Sequence, residues 1–147
     1  EIKKFITATG GLKVKSDFTF KSCPEMDILI IPGGIGTRKL LENDKILNWL
    51  RLHRNLEILA SVCTGSLLLA KAGLLERKKA TTHWGALKLL KKISPSTKVI
   101  KKNKYVFDTY YTSAGVSTGI DMSLNIVENV YGKTIAKNTA KYIEYKY

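Results

Sequence analysis

Two hydrophobic patterns alternate along this chain: unbroken aliphatic runs, and apolar stripes spaced for a helix. Asp27-Ile28-Leu29-Ile30-Ile31 is a continuous run that ends at Pro32-Gly33-Gly34. A short apolar run closed by Pro-Gly-Gly reads as a buried parallel strand entering a tight loop. Leu56 to Val62 repeats the strand-length run, and an apolar segment of helix length follows from Thr64 to Ala72, closed by Gly73 as a C-terminal cap. Between the two runs, Asp44 is a good N-cap, and Ile46, Leu47 and Leu50 continue at helical spacing toward His53 and Arg54.

The same patterns extend to both ends. Ile2 to Thr7 and Leu12 to Val14 read as short strands around Gly10-Gly11, and Phe18 and Phe20 alternate with polar neighbours as in a half-buried strand. Downstream, Ala80-Thr81-Thr82 reads as a short strand leading to His83-Trp84. Leu87, Leu90 and Ile93 form a helical stripe that Pro95 stops. Thr97 to Ile100 and Tyr105 to Thr109 read as strands around Lys102-Asn103, and Tyr110 to Ser113 as a strand end entering Ala114-Gly115. Ile120, Leu124, Val127 and Tyr131 share one helix face, and Thr134 to Tyr145 makes a final helix. Strands alternating with helices predict an α/β sandwich with a mostly parallel sheet. With no internal repeat, linker or low-complexity segment, residues 1–147 read as a single domain.

Composition narrows the function. A hydrophobic fraction of 44% is ordinary for a globular protein, and no apolar run approaches the ~20 residues that span a bilayer. Glu1 to Gly10 is short, mixed and charged and does not read as a signal peptide. Cys23 and Cys63 are the only cysteines, so a reducing cytoplasm is the simplest setting. The net charge of +13 would suit nucleic acid, but the basic residues are scattered and no nucleic-acid motif accompanies them. A solvated lysine-rich surface is the expected reading. Two separated His and two separated Cys form no ligand cluster, so no metal or other cofactor is expected.

The candidate chemistry is at Cys63. Between a strand and a helix it stands on a sharp turn, at the positive end of a helix dipole that favours thiolate over thiol. This is the layout of a nucleophile elbow with Cys in place of Ser. The alternative is a small, inert cysteine buried at a strand end. Cys23, before Pro24, reads as a bystander thiol. His53 reads as a surface residue, and Trp84 as packing. Asp121 opens a helix, where the dipole stabilises a carboxylate.

Together, Ile31-Pro32-Gly33-Gly34, Ser61-Val62-Cys63-Thr64-Gly65, Ala72-Gly73-Leu74-Leu75, Ala80-Thr81-Thr82-His83-Trp84 and Thr112-Ser113-Ala114-Gly115-Val116-Ser117-Thr118-Gly119-Ile120-Asp121 resemble the ThiJ/PfpI family of the class I glutamine-amidotransferase-like superfamily. The nearest flavour is the isonitrile-hydratase-like branch, which shares these motifs with sensor domains of AraC-type regulators. The resemblance implies a flavodoxin-like three-layer sandwich, a homodimer, a small-molecule substrate and Cys63 as the reactive residue. It places the backbone of Gly33 and Gly34 beside the thiol, where an N–H could meet a developing oxyanion, while the glycines also permit the turn. It brings His83 near the nucleophile, either as a proton acceptor or as an anchor of its own loop. Thr64 either donates a hydrogen bond to substrate or caps the helix.

The chain departs from that family in three ways. It opens in what corresponds to the second strand region, so the first strand and helix, with the acidic partner of the cysteine, are expected to be missing. Thr64 stands where protease-like members carry His, so no adjacent base activates the thiol and peptidase activity is not expected. No helix-turn-helix follows Tyr147, so the regulator reading needs further chain. The expected function is a cysteine-dependent hydratase or amidase-like enzyme. The alternative is a redox or ligand sensor domain, including the sensor half of a regulator.

Overall fold

The computed structural model describes residues 5–8 and 10–146. Ile2 to Lys4 of the first expected strand lie outside these. Along the chain come β1 (Phe5–Thr7), β2 (Lys13–Lys15), β3 (Ile28–Ile31), α1 (Thr37–Leu40), α2 (Asp44–Leu52), β4 (Ile58–Val62) and α3 (Gly65–Lys71). They are followed by β5 (Lys79–Ala80), a 3₁₀ turn (Trp84–Ala86), α4 (Leu87–Ile93), β6 (Lys98–Val99), β7 (Tyr105–Phe107), β8 (Tyr111–Ser113), α5 (Thr118–Tyr131) and α6 (Lys133–Tyr142).

The central sheet has the order β3-β4-β8-β7, with β3, β4 and β8 parallel and β7 antiparallel to β8. Alternation along the strands assigns the two faces. Ile31 and Leu59 point to one side and join Leu47 and Leu50 of α2, Leu67 to Ala70 of α3 and Leu90 of α4. Ile58 and Ala60 point to the other and pack with Tyr111 and with Met122 and Ile126 of α5. The result is a helix–sheet–helix sandwich with a mostly parallel sheet. At its edge, Ile28 and Ile30 share the α5 face and are 42% and 45% exposed.

Helix α3 is the centre of the first layer. Gly65 to Ala70 are all buried, the signature of a helix apolar on every side. Each fully buried leucine contributes about 1.5–3 kcal/mol relative to exposure. Its C-terminus closes as the sequence predicts. Gly73 takes φ +80°, and the Leu74 N–H reaches back to the Leu69 carbonyl at 2.9 Å. Arg51 Nε of α2 donates to the Ala72 carbonyl at 3.1 Å, so α2 and α3 are joined at that end.

Several local expectations differ. Asn43, not Asp44, caps α2: its side chain accepts the Ile46 N–H at 3.3 Å, and Asp44 sits in the first turn. Phe18 and Phe20 do not form a strand. Thr19 and Ser22 satisfy each other's N–H groups through their hydroxyls at 2.9 and 3.1 Å, closing a turn in place of ladder bonds. Phe20 instead packs on Trp49, with ring centroids 4.8 Å apart. β6 and β7 do not pair with each other: β6 joins β5 in a separate parallel pair and β7 joins β8. Among the described residues no helix is long and apolar enough to cross a membrane.

Candidate active site

β4 ends at Val62 and α3 begins at Gly65, and between them Cys63 adopts φ +56°. That left-handed conformation costs a non-glycine residue roughly 1–2 kcal/mol and needs surroundings that enforce it. Three hydrogen bonds do so. The Cys63 N–H donates to the Ser113 carbonyl of β8 at 3.1 Å. The Cys63 carbonyl accepts from the hydroxyl of Thr82 at 2.9 Å and from that of Ser66 at 3.2 Å. At about 0.5–1.5 kcal/mol each, they offset the strain. The residue itself is half-buried.

Two glycines permit the crowding around this elbow. A Cβ on Gly33 would lie 2.8 Å from Cys63 Cβ and 2.9 Å from Thr64 N. A Cβ on Gly65 would lie 2.3 Å from the Ile31 carbonyl oxygen. The start of α3 thus presses directly on the loop after β3, and this contact sets Gly33 against the cysteine.

Thr64 is a latch across the same contact. The Gly34 N–H donates to Thr64 Oγ1 at 2.9 Å, and that hydroxyl donates back to the Gly34 carbonyl at 3.1 Å. Thr64 occupies the N-cap position of α3 but makes no side-chain capping bond there. The Gly34 N–H is therefore already engaged by a hydroxyl.

His83 anchors its own loop. Its Nδ1 accepts the Gly85 N–H at 3.2 Å, its carbonyl accepts the Ala86 N–H at 2.8 Å, and its ring lies 5.2 Å from that of Trp84. The preceding residue, Thr82, is the one bonded to Cys63. Trp84 is 79% exposed and so is not packing. His53 is half-buried, not a surface residue: Nδ1 bonds the Trp49 carbonyl at 2.8 Å and the ring lies 4.1 Å from the indole.

Asp121 is buried away from the cysteine's hydrogen-bond network. It receives Lys104 Nζ at 2.6 Å and the Tyr145 hydroxyl at 2.9 Å, which ties the chain's C-terminal end to α5. Cys23 Sγ lies 3.5 Å from Met26 Sδ, in the loop before β3. Among the described residues, no three His, Cys, Asp or Glu side chains gather as a metal-binding group.

Polar groups concentrate where the parallel strands end. Ser61, Thr64, Ser66, Thr81, Thr82, Thr112 and Ser113 are all buried. The Thr81 N–H donates to Thr112 Oγ1 at 2.9 Å, fixing the segment after β5 against β8. Ser66 and Thr82 were not singled out by the sequence reading. Their only signal is hydroxyls at positions the apolar pattern would fill with aliphatic residues. In open α/β sheets, ligands bind beyond the carboxyl ends of the strands, where Cys63 stands.

A mostly parallel sandwich whose strands end at a strained cysteine elbow defines a class of protein, and comparison with known sequences identifies it. The DJ-1/PfpI family pattern matches residues 2–129, and the chain belongs to that family. It is 35% identical over 142 residues to an isonitrile hydratase of Pseudomonas putida, covering 95% of this chain and 61% of that protein. It is 30% identical over 132 residues to the HTH-type transcriptional regulator CdhR of Pseudomonas aeruginosa, covering 89% of this chain and 39% of the regulator. A ThiJ/PfpI family protein of Pseudomonas syringae superposes with a TM-score of 0.87 at 31% identity, over 97% of this chain and 60% of that one. The chain therefore spans less than two thirds of each of these relatives.

Proposed function

We propose that this chain carries the nucleophile of a cysteine-dependent enzyme acting on a small electrophilic substrate, with hydration of an isonitrile to an N-substituted formamide as the favoured reaction. The observation that carries this reading is the Cys63 elbow, a strained residue held by three hydrogen bonds at the carboxyl end of the sheet. Strain retained at one position and enforced by its surroundings marks functional sites. Similarity to an isonitrile hydratase supports the choice of substrate.

In this reading the Cys63 thiolate attacks the terminal isonitrile carbon, which is protonated to give a thioimidate. Water adds to the C=N bond, the C–S bond breaks, and the thiolate leaves with formation of the formamide. The net change is the addition of one water. Thr64 Oγ1, which accepts the Gly34 N–H, is a polarised donor; turning its proton from the Gly34 carbonyl to the substrate would stabilise the developing charge. This refines the oxyanion role expected of Gly33 and Gly34: the glycine N–H acts through the threonine. His83 holds the loop beside the site. Cys63→Ala abolishes isonitrile turnover in the full-length protein while leaving the fold intact by circular dichroism. Retained turnover would refute the reading.

Similarity to a transcriptional regulator supports a second reading, the ligand-sensing half of such a protein. There, the full-length protein binds a small ligand without consuming it, and Cys63→Ala leaves binding unchanged.

A further inference from the structure

Thr82 and Ser66 donate to the same oxygen, the carbonyl of Cys63, and fill both of its lone pairs. The two donors differ in origin. Ser66 lies three residues on, and a serine in the first turn of a helix makes such a bond locally. Thr82 is nineteen residues away, and its hydroxyl reaches the elbow only because its own segment is fixed on both sides. Before it, the Thr81 N–H is bonded to Thr112 Oγ1 and the Lys79 N–H to Asp108 Oδ2, both at 2.9 Å. After it, His83 caps the 3₁₀ turn. Thr82 is 1% exposed.

We infer that Thr82 is a positioning residue that sets the reactivity of Cys63 through this carbonyl. The inference rests on the nucleophile reading above. A carbonyl oxygen carries partial negative charge and belongs to the same residue as the sulfur, so left bare it opposes a thiolate. A hydroxyl proton directed at it compensates that charge in a site of low dielectric. The same bond holds the peptide plane that φ +56° requires. Removing it both exposes the oxygen and lets the elbow relax. Thr82 thus links the loop carrying His83 to the sulfur without touching it.

The test is peptide-resolved alkylation by iodoacetamide in the full-length protein, with Cys23 as the internal reference thiol. Thr82→Val, which keeps the shape and loses the hydroxyl, slows Cys63 by about two- to tenfold. It also moves the pH profile of Cys63 alkylation to higher pH and leaves Cys23 unchanged. Thr82→Ser restores the wild-type rate and profile, which a role in methyl packing would not. Equal Cys63 rates in wild type and Thr82→Val overturn the proposal, as does a Thr82→Ser variant as slow as Thr82→Val. Ser66→Ala removes the other donor from the same carbonyl and slows Cys63 in the same direction. If Thr82→Val does not fold, an unchanged rate in Ser66→Ala overturns the proposal. A wild-type Cys63 no faster than Cys23 defeats the nucleophile reading itself, whereas a fast Cys63 indifferent to Thr82→Val defeats only this inference.

Discussion

The two cysteines of this chain occupy opposite kinds of surroundings. Cys63 takes a left-handed backbone conformation, with its N–H bonded to β8 and its carbonyl bonded to two hydroxyls. Cys23 sits in a loop against Met26 and lines an apolar cavity of about 970 Å³ between the β1–β2 hairpin and the α1–α2 layer. Both are half-buried, so exposure does not separate them. What separates them is backbone constraint: one residue is held by hydrogen bonds from three parts of the chain, and the other lies in the loop before β3.

The contrast breaks most severely at Gly65. Gly65→Ala drives a methyl group against the Ile31 carbonyl, a backbone atom that cannot rotate away. The expected loss is about 3 kcal/mol or more, read by urea unfolding, and Cys63 alkylation falls to the level of Cys23. Stability close to that of the parent would mean that the β3 loop is free to move and does not fix the elbow.

Gly33→Ala comes next. Its Cβ would lie 2.8 Å from the cysteine's own Cβ and 2.9 Å from both Thr64 N and the Val62 carbonyl oxygen, a milder overlap with the backbone than the one at Gly65. An expected cost of about 1–3 kcal/mol follows, with Cys63 reactivity reduced and Cys23 untouched. An unaltered Cys63 rate would show that Gly33 serves only the turn.

A smaller effect is expected at the clamp of Asp121 on Lys104 and Tyr145, which makes none of the hydrogen bonds that hold Cys63. The hydrogen bond to Asp121 raises the Tyr145 phenol above the usual 10.0, helped by burial and by the carboxylate's charge. Lys104's own hydrogen bond to the other oxygen of Asp121, with the carboxylate's charge, raises it above 10.5, against a lesser opposing effect of burial. Groups whose folded values are raised stabilise the fold fully below their unfolded values, and that contribution is lost as pH climbs through the folded ones. The clamp is therefore intact at neutral pH and fails above about pH 10. Limited proteolysis of residues 142–146 should quicken above that pH in the parent, and already at pH 8 in Asp121→Asn. Cys63 alkylation at pH 8 should be the same in both proteins. A clamp variant that slowed Cys63 would show that the two regions are coupled.

The elements nearest the site were the most legible in the sequence. An aliphatic run ending in Pro32-Gly33-Gly34, a second ending at Cys63, and an apolar helix closed by Gly73 each follow from local spacing and appear where the spacing puts them, except that the first run, expected to be buried, is an edge strand with Ile28 and Ile30 exposed. Phe18 and Phe20 were misread because alternation shows only which side chains could share a face. It does not show whether partner N–H and C=O groups are available, and here Thr19 and Ser22 supply them locally. The two strands expected on either side of Lys102-Asn103 both form but do not pair with each other: a turn sequence between two runs does not choose their partners, and β5 and β8 offered pairings the local pattern could not reveal.

The sequence alone determined the class of fold and the order of its strands and helices around Cys63. These depend on periodicity and on the backbone freedom of a few glycines, both written locally. Only the tertiary structure decided how Cys63 is held. Thr82 and Ser113 reach it from nineteen and fifty residues away, and Thr64 engages the Gly34 N–H that the sequence alone left open for substrate. Hydrogen bonds of that span depend on the relative placement of whole strands and helices. Their partners are therefore chosen by packing, which local spacing does not encode.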